Sequence, residues 1–74
     1  MTTAIEVRIE DIERVPPKYP HLAATYAALL GRGYKFQPIL CERRDDGRLC
    51  VVDGHHRYAA YVLAGRLTIA AFIH

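Results

Sequence analysis

The sequence predicts an α/β (α+β) domain, a small mixed sheet of about four strands with two helices in the order βαββαβ. Three observations predict it. Short β-branched runs alternate apolar and polar residues with period two. Two longer segments space their apolar residues at helical intervals. Glycines and prolines punctuate the chain between them.

The elements follow in order. Ala4-Ile5-Glu6-Val7-Arg8-Ile9 alternates with period two and reads as a strand. Glu10 to Pro20 is irregular, because Pro16, Pro17 and Pro20 exclude a helix interior. Pro20 fits a first helical turn, and Leu22, Tyr26, Leu29 and Leu30 then recur at helical spacing. Gly31 and Gly33 end that helix. Gln37–Glu42 and Arg48–Val52 read as two strands joined by an Asp-Gly turn. His55–Ala64 is a second helix with a buried stripe of Ala59, Val62 and Leu63, stopped by Gly65. Thr68–Ile73 is the last strand.

Cys41 and Cys50 flank the turn. A four-residue loop at 44–47 sets them opposite one another, and a two-residue Asp46-Gly47 turn pairs Cys41 with Val52 instead. Only the first register admits a redox pair. Reduced, half-buried thiols are the simpler expectation.

A chain of 74 residues is one small domain, and 51% hydrophobic residues fit a globular core. Such a domain buries only about 60% of its unfolded surface, so a ligand or partner adds needed stability, and homo-oligomer formation is left open. The formal charge of +2 is too small to argue for nucleic acid binding, which is expected only through another domain or partner. No apolar run approaches the roughly 18 residues of a membrane span, so no membrane partner is expected. The start lacks the basic and apolar regions of a signal peptide, and the expected location is cytoplasmic.

The most informative stretch is Val51-Val52-Asp53-Gly54-His55-His56-Arg57-Tyr58-Ala59-Ala60-Tyr61. It reads as a strand, a tight turn and a helix whose first turn is rich in donors. A helix N-terminus has unpaired N–H groups and the positive end of the macrodipole, so it favours anions. His56 and Arg57 add charge-assisted donors. Asp53 has two readings: an N-cap accepting the N–H of His55 or His56, or a general base toward a hydroxyl acceptor. Gly54 permits a positive φ or the close approach of a ligand.

This stretch resembles the G-C-H-R-Y-A-A-Y signature of sulfiredoxins, the G-E-R-R box of ParB partition proteins and the D-G-x-H-R box of ParB-like free-serine kinases. Gln37-Pro38-Ile39-Leu40 and Leu67–Ile73 resemble further strands of the ParB/sulfiredoxin superfamily. The resemblance implies a nucleotide-binding domain with phosphates near Gly54, His55, His56 and Arg57, and with Asp53 as base. It also implies phosphate contacts from Lys18, His21 and Thr25, where His21 replaces the family's serine. Glu13 lies roughly where the kinases carry a functional glutamate. If it faces Asp53, the two orient an acceptor and hold Mg²⁺. His55 stands in the place of the sulfiredoxin cysteine, so sulfinic-acid repair lacks its nucleophile and that activity is rejected.

Two functions follow as expectations. One is ATP- or ADP-dependent phosphoryl transfer to a small hydroxyl acceptor, or nucleotide hydrolysis. The other is a CTP-binding regulatory module of the ParB type, acting with a separate DNA-binding partner. No metal-ligand cluster supports a nuclease.

Overall fold

The computed structural model describes residues 3–74. Its elements are β1 (Ile5–Arg8), a short 3-10 turn (Ile9–Asp11), α1 (Pro20–Gly31), β2 (Ile39–Arg43), β3 (Leu49–Asp53), α2 (His55–Leu63) and β4 (Thr68–Ile73). The expected βαββαβ order holds. The sheet runs β1-β4-β2-β3, with β1/β4 and β2/β3 antiparallel and β2/β4 parallel. Period two sends Ile39, Cys41, Leu49, Val51, Ile69 and Ala71 to one face, where they form the core with Ile9, Ile12 and Tyr58.

The helices stack in order on that face. α2 touches β2, β3 and β4, and α1 packs chiefly on α2. Small buried residues, Ala23 on α1 and Ala59 and Ala60 on α2, suit close helix packing. Clasped from two sides, α2 buries Tyr58, Ala59 and Ala60 in succession. The expected stripe is therefore corrected: Ala59 is buried and Val62 half-buried, but Leu63 is 61% exposed at the last turn.

Both helices end in Schellman motifs. Gly33 N–H donates to Leu30 O and Tyr34 N–H to Leu29 O; Gly65 N–H donates to Val62 O and Arg66 N–H to Tyr61 O. Gly31 is the last helical residue of α1, and Gly33 takes the left-handed conformation. The Arg66 guanidinium then donates to Leu30 O at 3.1 Å, tying the two helix C-termini together.

Several strand boundaries differ from the expected ones, and two of the shifts have a plain physical cause. β2 starts at Ile39 rather than Gln37, because Pro38 has no N–H for the ladder and the carbonyls of Gln37 and Pro38 accept from Arg57. β3 extends to Asp53, which pairs with Leu40. Neither expected hairpin register forms. Arg44 N–H donates to Arg48 O and leaves a three-residue loop, Asp45-Asp46-Gly47, with Gly47 at φ 87°. Cys41 therefore faces Val51, and Cys50 faces Glu42. The cysteines are free, Cys41 buried and Cys50 half-buried, one residue out of phase and so on opposite faces of the sheet. Among the described residues no helix is long and apolar enough to cross a membrane.

Candidate functional site

The β3–α2 turn presents a helix start with its amides free. Gly54 has φ 102° and ψ 30°, a left-handed conformation that favours glycine. The first helical hydrogen bond of α2 is Tyr58 N–H to Gly54 O at 2.8 Å. The N–H groups of His55, His56 and Arg57 precede it and have no acceptor among the described residues. The N-cap role open to Asp53 is not used: no side chain caps α2. Asp53 is the last paired residue of β3, and its side chain is 79% exposed, with Arg57 Nη2 at 3.6 Å.

These amides open into a cleft of about 600 Å³, a size that suits a small organic ligand. Asp53, Gly54, His55, His56, Arg57 and Lys18 line it, as the sequence led one to expect. The remaining wall is Val15, Pro16, Tyr26 and Phe36. Sequence reading missed that wall as part of a site. Tyr26 was read only as a helix-packing residue, and Phe36 lies in the aperiodic stretch after α1. The closely spaced aromatic pair Tyr34 and Phe36 was the available signal.

Each basic group has a definite setting. Arg57 Nη1 donates to Gln37 O and Pro38 O, both at 3.0 Å, so this guanidinium fixes the entry to β2 while Nη2 faces Asp53. His56 Nε2 accepts from Tyr19 N–H at 3.1 Å, and its ring stacks on Tyr19 at 5.6 Å and 15°. Its Nδ1 and its backbone N–H are the groups left to donate. Lys18 Nζ stands 5.6 Å from the Tyr19 ring centroid. The proline-rich segment before α1 is thereby fastened to the first turn of α2.

Three expected site residues do not line the cleft. Glu13 is drawn away by long-range pairing. Ile12 bridges Leu49, Glu13 N–H donates to Leu49 O at 2.7 Å, and its carboxylate meets Arg44 at 2.9 Å. Leu49 and Asp53 are opposite ends of β3, about 13 Å apart at ordinary strand rise. The Glu13–Asp53 pair is therefore not formed. Thr25 donates its hydroxyl to His21 O at 3.0 Å, and both residues are exposed on α1 outside the cleft. Arg43 and Arg44 serve the hairpin end: Arg43 donates to Gly47 O, and Arg44 pairs with Glu13 and approaches Cys50 Sγ. Among the described residues no group of three or more His, Cys, Asp or Glu side chains is placed to hold a metal ion.

No family model matches the sequence, and no curated protein matches it. Solved structures do match in fold. Sulfiredoxin from Arabidopsis thaliana superposes with a TM-score of 0.80 at 22% identity, over 97% of this chain and 84% of that one. The C-terminally truncated chromosome-partitioning protein ParB from Caulobacter crescentus, complexed with CTP-γ-S, gives 0.74 at 24% identity, over 97% of this chain and 44% of that one. A free serine kinase in complex with AMP gives 0.72 at 21% identity, over 96% of this chain and 30% of that one. The chain thus spans less than half of the ParB and kinase chains. The chain therefore shares its fold with sulfiredoxin, the ParB protein and the free serine kinase. Within that fold, the chain sets an anion-receptive helix start beside an exposed carboxylate.

Proposed function

We propose that the cleft at the start of α2 binds a nucleoside phosphate, ATP or ADP, and supports phosphoryl transfer to a small hydroxyl acceptor or to water. The observation that carries this reading is the set of unpaired N–H groups at His55, His56 and Arg57, opening beside Asp53 into a cleft of about 600 Å³. Superposable proteins solved with CTP-γ-S and with AMP support it.

In this reading the phosphates sit on those amides, and Lys18, from the segment before α1, balances their charge. Transfer of the terminal phosphoryl group needs positioning and charge neutralisation more than covalent help. Among the described residues, Asp53 is the only carboxylate lining the cleft. It accepts the proton of the acceptor hydroxyl as that oxygen bonds to phosphorus and the bond to the bridging oxygen breaks. Mg²⁺ held by the phosphate oxygens, with water completing its shell, would neutralise phosphate charge and leave Asp53 free as the base. Glu13, held by Arg44, takes no part.

The test is a thermal-shift panel of ATP, ADP, CTP and GTP with Mg²⁺, followed by phosphate release or amino-acid phosphorylation with several acceptors, free serine among them. ATP and ADP are expected to be among the nucleotides that stabilise the domain. Asp53→Asn should keep folding and binding while turnover falls by about two orders of magnitude. Tight binding with no turnover on any acceptor would replace the enzyme by a regulatory module. No stabilisation by any nucleotide would remove the proposal.

A further inference from the structure

We infer that the cleft holds its nucleotide by stacking the base on Phe36 and does not discriminate among bases; this rests on the phosphate reading above. The cleft is chemically divided. Its charged and polar side chains are Lys18, Asp53, His55, His56 and Arg57, all but Lys18 from the β3–α2 turn that carries the free amides. The rest of the wall is apolar or aromatic, with the Tyr26 hydroxyl its one polar side-chain group. Phe36 is half-buried and lies against two tyrosine rings, with centroids 5.0 Å from Tyr26 and 4.7 Å from Tyr34. A ring held this way keeps its orientation without help from a ligand.

Reading a base edge takes fixed donors and acceptors. The backbone carbonyls that follow Phe36, those of Gln37 and Pro38, already accept from Arg57. What this wall offers a base is a π-face, and every base has one. Affinity therefore comes from the phosphate chain and from stacking, while the identity of the base contributes little.

The experiment is calorimetric titration, with Mg²⁺, of ATP, GTP, CTP, UTP and inorganic tripolyphosphate into wild type and Phe36→Leu. Leucine keeps the apolar bulk and removes the π-face. The four nucleotides should bind wild type within about threefold of one another, and each about tenfold or more tighter than tripolyphosphate. In Phe36→Leu the nucleotides should fall to within about threefold of tripolyphosphate, whose own affinity stays unchanged. Tripolyphosphate binding as tightly as the nucleotides would overturn the stacking inference. So would a preference above about tenfold for one base, or an equal loss for tripolyphosphate in the variant. Absence of binding by all five ligands would overturn the phosphate reading itself, and the inference with it.

Discussion

Gly54 lies so close to Ile39 that a Cβ at position 54 would stand 2.6 Å from Ile39 Cγ2, on a backbone already at φ 102°. The turn that starts α2 is thus pressed onto the first residue of β2. Gly54→Ala meets both the left-handed backbone and the side-chain clash, and should lower unfolding free energy by about 1–3 kcal/mol or more. Urea denaturation of the variant measures this. An unchanged midpoint would show that the turn has room the structure denies it.

Arg57 joins the same two elements from the other side. Its side chain is only 20% exposed, and one nitrogen serves two carbonyls. Arg57→Lys keeps the charge but loses the fixed fork, and should cost about 1–2 kcal/mol of stability. Equal stability of the two proteins would mean that the β2 entry is held by other contacts.

Tyr58 carries the one buried side-chain polar atom without a hydrogen-bond partner among the described residues, its hydroxyl oxygen. An unsatisfied buried group costs stability, and the ring alone fills the core position. Tyr58→Phe should therefore be neutral or stabilise the domain by about 1 kcal/mol in denaturant unfolding. A loss of that size instead would show that the hydroxyl has a partner in solution.

Burial holds the Cys41 thiol above its ordinary value of 9.0, with a smaller contribution from Cys50. The unfolded chain releases this proton at lower pH than the folded one. Stability tied to the thiol is thus fully present below pH 9 and falls as pH rises through the folded value. Wild-type stability should fall as pH rises above 9, and Cys41→Ala should flatten that decline. At pH 8 a thiol reagent should label half-buried Cys50 well before Cys41, as mass spectrometry would register. Faster labelling of Cys41 would contradict its place in the core.

Much of this arrangement was legible in local sequence. The β-branched run, Asp53-Gly54 and the helical spacing after it located the start of α2, and Pro20 located the start of α1. What escaped depended on contacts distant in sequence. By resemblance Glu13 falls roughly where the kinases carry their glutamate, with a place facing Asp53 left open, yet the Ile12–Leu49 bridge holds it at the far end of β3. Arg57 read as a free anion donor because Gln37 and Pro38, twenty and nineteen residues earlier, give no sign of accepting from it. The Asp-Gly turn pointed to loops of two or four residues, and the observed loop lies between them, reversing the expected neighbour of Cys41. Phe36 lies in a stretch without periodicity, and only the fold brings it to the cleft beside the turn.

The central claim is that free amides at the start of α2 receive the phosphates. Amide resonances of ¹⁵N-labelled protein, followed during titration with a non-hydrolysable ATP analogue and Mg²⁺, test it most directly. The largest downfield shifts should fall on His55, His56 and Arg57, with Gly54 and Lys18 next. Shifts centred on the Arg43–Gly47 hairpin end, or none at saturating ligand, would contradict it.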